Sequence, residues 1–162
     1  MSILWGLVLL MKSYICIDPG TGTGIAVIED RKLIHYENIW GKGKNFKEKA
    51  DSIIKKLEED AYDADKVWIE WPTGRFSGAK GLAAANSDAI LKLCYLIGRI
   101  AQYFESEKIE VELLPVWNWR GQVPDHVLEE RVWKFWNNYA IKAHSIDAAG
   151  IARYLIMEGI IK

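Results

Sequence analysis

The sequence predicts one α/β domain, a sheet with helices packed on it, and three observations carry that prediction. Apolar runs of strand length alternate along the chain with stretches of helical periodicity. Clusters of Gly, Pro and Asp punctuate the runs where turns are needed. The length of 162 residues, half of them apolar, suits one well-buried domain and is too short for two ordinary ones.

Residues 2–10 are apolar but far short of the roughly 20 residues a spanning helix needs. They also lack the positive start and small-residue cleavage site of a signal peptide. Met11-Lys12-Ser13 reads as a second possible translation start. Residues 1–10 are therefore set apart as an apolar extension that either packs on a hydrophobic surface or is dispensable, and 11–162 as the domain. A cytoplasmic protein with no membrane partner is expected, in the host cytoplasm if the chain is phage-encoded.

The run Tyr14 to Ile17 reads as the first strand, stopped by Asp18-Pro19-Gly20. Gly22 and Gly24 let the backbone turn closely, and Ile25 to Ile28 returns alongside. A turn at Asp30-Arg31 and a strand from Lys32 to Ile39 complete a three-stranded antiparallel meander. After a loop from Gly41 to Asn45, Phe46, Ala50, Ile53, Ile54 and Leu57 mark an amphipathic helix. Val67 to Ile69 is the next strand, closed by Glu70, and Trp71 to Gly81 is a Gly- and Pro-bearing loop that also holds Arg75, Phe76 and Lys80.

The helix beginning near Asn86 to Asp88 runs to about Glu105 and is apolar on most sides. Such a helix is buried on more than one side, one against the sheet and another against a second copy, so a homodimer through Leu91, Tyr95 and Phe104 is expected; a central core helix in a monomer is the alternative. Val111 to Leu114 is the fifth strand, and Pro115 to Pro124 a loop with Trp117, Trp119 and Arg120. Asp125 is placed to cap the following helix, which runs to about Asn137 on the stripe Val127, Leu128, Val132, Trp133 and Trp136. In the last helix, about Ser145 to Met157, Ala148, Ala149 and Gly150 let the backbone press close to the sheet.

A net charge of -1 shows no global basic excess of the kind nucleic-acid proteins usually carry, so a binding face must be local. Lys42, Lys44, Lys47, Lys49, Lys55 and Lys56 make such an excess against Glu48 and Asp51, although a solvated helix face of mixed charge is the commoner source of such a run. Cys16 and Cys94 both fall in apolar runs and read as buried, reduced thiols without zinc-like spacing.

The chemistry centres on Asp18 and Glu70. Each is a carboxylate placed directly after a buried run, which is costly unless it is hydrogen-bonded, paired or metal-bound. His144 and Asp147 lie on one face at the start of a helix. Three carboxylates and an imidazole suit Mg²⁺ or Mn²⁺ better than zinc or copper. Two such ions roughly 3.5 to 4 Å apart can activate a water and stabilise the leaving oxygen of a phosphodiester.

The order of elements resembles the ribonuclease H-like fold: a five-stranded mixed sheet, three antiparallel strands plus two parallel, flanked by helices. The segments Tyr14 to Gly20, Val67 to Glu70, Asn86 to Leu93 and His144 to Ala148 are similar to the motifs of RuvC-type Holliday-junction resolvases of phage and bacteria, over about Met11 to Leu155. The resemblance implies a dimeric endonuclease that nicks a four-way DNA junction symmetrically, leaving 5′-phosphate and 3′-hydroxyl ends. It implies two Mg²⁺ or Mn²⁺ ions per active site held by Asp18, Glu70, His144 and Asp147. Asp18 would bridge the ions, and His144 would ligate a metal or orient the water. Arg75, Phe76, Lys80, Asn86, Trp117 and Arg120 are the implied DNA-binding residues, with Phe76 entering the junction and Arg120 standing where a Lys is usual. A branch-migration helicase as partner is not readable from the chain.

Three other functions compete. A nuclease of the same fold could act on other branched DNA or RNA–DNA hybrids. A non-catalytic junction-binding dimer would not need ligands at all four positions. The turn after Asp18 is also similar to the phosphate cradle of actin-like sugar or acetate kinases, which need a second lobe.

Overall fold

A computed structural model of the chain describes residues 12–72 and 88–162. In chain order the elements are β1 (Ser13–Asp18), β2 (Gly22–Glu29), β3 (Lys32–Trp40), α1 (Phe46–Asp60), β4 (Lys66–Trp71), α2 (Asp88–Ser106), β5 (Glu110–Pro115), α3 (Val116–Trp119), α4 (Asp125–Trp136) and α5 (His144–Met157). The sheet order is β3-β2-β1-β4-β5. Strands β3, β2 and β1 run antiparallel, and β4 and β5 add to β1 in parallel. This is the five-stranded mixed sheet the sequence leads one to expect.

Local chemistry explains the elements. Asp30 and Arg31 both take positive φ, which twists the two-residue β2–β3 connection to match its strands. Asn45 caps α1 by accepting from the Glu48 amide, and the Glu48 carboxylate reaches back to accept from the Asn45 side chain and the Lys44 amide.

Strand alternation then divides the core into two layers. Tyr14, Cys16 and Trp68 face α4 and α5, while Ile15, Ile17, Val67 and Ile69 face α1 and α2. Cys16 is buried, and burial pushes its thiol up; Cys94 is only half-buried.

The structure corrects three details. Pro115 to Pro124 is not all loop, since it contains the single helical turn α3. Asp125 does not cap α4: Pro124 holds the cap position without a side-chain bond, and the Asp125 carboxylate pairs with Arg120. Helix α2 also buries one stripe within the chain (Leu96, Ile97, Ile100 and Phe104) while Leu91 is 67% and Tyr95 44% exposed.

No helix among the described residues is long and apolar enough to cross a membrane. The apolar extension and four of the expected DNA-binding residues, Arg75, Phe76, Lys80 and Asn86, lie outside the described residues.

Candidate active site

Parallel pairing of β1 with β4 sets Ile17 beside Ile69, so the next residues, Asp18 and Glu70, emerge together at the same end of the sheet. Both continue the alternation of Cys16 and Trp68, which directs them to the α5 side. Helix α5 starts over that end and presents His144 and Asp147 in its first turn. Its positive terminus favours an anionic Asp147 there.

Two residues of the sheet seat α5. A Cβ on Gly24 would come within 2.0 Å of the His144 carbonyl oxygen, so only glycine lets the helix start this close to β2. The N-cap residue Ala143 has no capping side chain. Asn38 of β3 takes over that role: its Oδ1 accepts from the Ser145 amide at 2.8 Å, and its Nδ2 donates to the Lys142 carbonyl at 3.1 Å. The small residues of α5 have a further use, because the Trp119 ring lies where a Cβ on Gly150 would be, with a contact of 2.9 Å.

Each acidic side chain has its own polar partner. His144 Nδ1 lies 3.1 Å from Asp18 Oδ2 and donates to it when Asp18 is ionised. Trp119 Nε1 donates to Glu70 Oε2 at 3.0 Å. Arg120 donates to Asp147 Oδ1 at 2.6 Å and also pairs with Asp125. Arg120 thus lies at the site, paired with two acids, whereas Trp117 is 46% exposed.

Crowding of buried acids dominates the electrostatics. Glu70 is pushed up to about 8, first by burial and then by the charges of Asp18 and Asp147, with Trp119 and Arg120 pulling it down. Asp147 is pushed up to about 6, again by burial and then by Asp18, against Arg120. Burial raises Asp18 also, opposed by its hydrogen bond to His144. The Asp18 hydrogen bond in turn raises His144.

A site in which neighbouring carboxylates hold protons near neutral pH is short of positive charge. The donor set fits a hard divalent cation such as Mg²⁺ or Mn²⁺, which would relieve that shortage. Among the described residues, however, no three His, Cys, Asp or Glu side chains converge to hold a metal ion. They are turned instead to Trp119, Arg120 and each other.

The structure brings Asp18, Glu70, His144 and Asp147 to one end of the sheet, and beside them Asn38, Trp119 and Trp40, for which the sequence offered no role. The Trp40 ring meets His144 edge-on at 5.4 Å between centroids. Trp119 lies four residues after Pro115, the end of β5, whose Leu114 pairs with Glu70.

No protein-family model matches the chain, and no curated protein matches it in sequence. Solved structures do. Thermus thermophilus RuvC in complex with a Holliday junction substrate is 16% identical with a TM-score of 0.69, covering 91% of this chain and 96% of that one. A second structure of Thermus thermophilus RuvC gives 17% identity and a TM-score of 0.65 over the same shares of each chain. Fowlpox virus resolvase, in complex with Holliday junction DNA, is 16% identical with a TM-score of 0.51, covering 87% of this chain and 97% of that one. At such identities the likeness is one of fold. Strand order, flanking helices and near-complete coverage agree that the chain has the ribonuclease H-like fold in its RuvC-type form.

Proposed function

We propose that the chain is a metal-dependent endodeoxyribonuclease that resolves four-way DNA junctions by paired, symmetric nicks. The observation that carries the reading is the gathering of three mutually repelling carboxylates, from β1, β4 and α5, at one end of this fold. Asp18, Glu70 and Asp147, with His144 beside them, would hold Mg²⁺ or Mn²⁺. When bound, the ions supply Lewis acidity for the attacking water and the leaving oxygen, giving 5′-phosphate and 3′-hydroxyl ends. The protein's own part is positioning. His144, held by Asp18, fixes an imidazole at the rim; Trp119 orients Glu70; and Arg120 neutralises Asp147.

Paired nicking needs two sites, and the exposed Leu91 and Tyr95 of α2 support a homodimer. The substrate is taken from the junction DNA present with the RuvC and fowlpox resolvase structures.

The test is to incubate purified protein with labelled four-way junction, flap and linear duplex in Mg²⁺, Mn²⁺ or chelator. Metal-dependent cutting confined to the junction is the expected result, and preferential cutting of flaps or hybrids would move the substrate elsewhere. Asp18→Asn and Glu70→Gln should each abolish cutting while junction binding remains, because affinity comes mainly from Lys and Arg contacts to phosphate. Cutting near the wild-type rate in either variant would remove that residue from the site.

A second reading, a non-catalytic junction-binding protein, is favoured by one observation, the lack of convergence among the ligands with Arg120 on Asp147. Junction binding without cutting in either metal would select it.

A further inference from the structure

Strand β3 ends at Trp40, opposite Gly22 of β2, on the rim of the acidic site. Its indole is 58% exposed although the neighbouring Ile39 is buried in the core, so Trp40 adds little to burial. The site nevertheless makes room for it: a Cβ on Gly22 would lie 2.5 Å from the indole and 2.6 Å from the His144 ring. An aromatic face is therefore held open to solvent, against the residue that bonds Asp18.

A groove of about 470 Å³ runs from Trp40 between β3 and α1, lined also by Lys42, Ser52, Lys55 and Lys56, three lysines against the one acid Glu59. Lys55 and Lys56 pair with acids four residues on, while Lys42 has no ion pair among the described residues. The opposite flank of α1 is taken by α2 through Arg99 to Asp51 and Tyr103 to the Leu57 carbonyl. The groove is thus separate from the surface around Leu91 and Tyr95. In a chain of net charge -1 the lysines here are a local excess, and their complement is a polyanion.

We propose that Trp40 is the stacking platform for a base next to the scissile phosphate, and that the lysine groove carries the phosphate backbone of the same DNA strand as it leaves the site. This rests on the nuclease reading above. Stacking on an exposed indole tolerates any base, and lysines as point charges tolerate any sequence, so the pair positions a strand without selecting one. A tryptophan that only buttressed His144 would not need an open face or a cationic groove leading from it.

The test uses four-way junctions carrying 2-aminopurine at successive positions about the cut, bound in Ca²⁺ or without metal so that nothing turns over. With wild-type protein, quenching is expected at one or two positions beside the cut. Trp40→Ala should abolish that quenching and weaken junction binding about tenfold, and Trp40→Phe should restore part of both. Lys42→Gln and Lys55→Gln should each reduce the slope of log affinity against log salt by about one while leaving the quenching in place.

If Trp40→Ala slows cutting but leaves quenching and affinity unchanged, Trp40 acts only through His144 and the proposal is overturned. Unchanged salt slopes in both lysine variants overturn the groove. If wild-type protein binds no junction at all, the nuclease reading itself falls and takes this inference with it, an outcome separable from the others because it precedes any substitution. Melting curves of each variant guard against misfolding, and Trp40→Phe keeps the question open to decision if Trp40→Ala fails to fold.

Discussion

Glu70 stands where a carboxylate is costly, half-buried at a strand end with Asp18 and Asp147 for company. Its pKa of about 8 in the folded chain lies above the unfolded value near 4.3. The folded state therefore binds more protons than the unfolded state between those values, and stability falls as pH rises through that window. Its contribution is complete below about pH 4 and lost above about pH 8. Asp147, at about 6, adds a loss of the same sign at lower pH. Metal-free Glu70→Gln, which can still accept from Trp119, should match the wild type at pH 4 and exceed it at pH 8. The gain should be on the order of 2 kcal/mol, or roughly 4 to 8 °C in Tm. Thermal melts in chelator across that range check this, and parallel curves for the two proteins would show that Glu70 bears no such load. Saturating Mg²⁺ should close the gap by stabilising the wild type more than the variant.

At the scale of elements, the site depends on how α5 is seated. Its first turn carries His144 and Asp147, its start is capped from β3 by Asn38, and its approach to β2 is set by Gly24. Gly24→Ala should push the helix start outward, because the contact it creates is with backbone, which cannot swing aside. The expected cost is about 2 kcal/mol or more, together with loss of cutting even in variants that remain folded at the assay temperature. A substitution that leaves Tm and activity unchanged would mean that β2 does not set the position of α5. The short turn α3 has a comparable role, since Trp119 and Arg120 leave it side by side to reach Glu70 and Asp147.

For the whole molecule, the proposed pairing of two copies rests on α2. Helix α2 packs Leu96, Ile97, Ile100 and Phe104 into its own chain's core, and Phe104 is fully buried there, so Phe104 belongs to no interface. Leu91 and Tyr95, one turn apart on the outer side, are the large apolar residues of α2 that stay exposed, and the proposed dimer would use them. Leu91→Asp should convert a dimer to a monomer, since an unpaired charge cannot be buried cheaply at such a contact. Light scattering at micromolar concentration decides it, and a wild-type protein that is already monomeric there would refute the dimer. A monomeric variant should still nick, but without coordinating its two cuts.

By itself the sequence determined the fold and the location of the acidic site. Strand alternation, Gly and Pro breakers and a His–Asp pair at a helix start are all local signals, and local signals survive in one dimension. Asp18 and Glu70 were legible because each interrupts an apolar run of its own. The rest depended on partners far apart in the chain. Asn38 caps a helix that begins 106 positions later, and Trp119 bonds an acid 49 positions earlier. Asp125 looks like a cap in isolation and serves instead to hold Arg120. Only the tertiary structure decided these pairings, because hydrogen bonds and exposed aromatic faces are set by which elements meet in space, and no periodicity along the chain encodes that meeting.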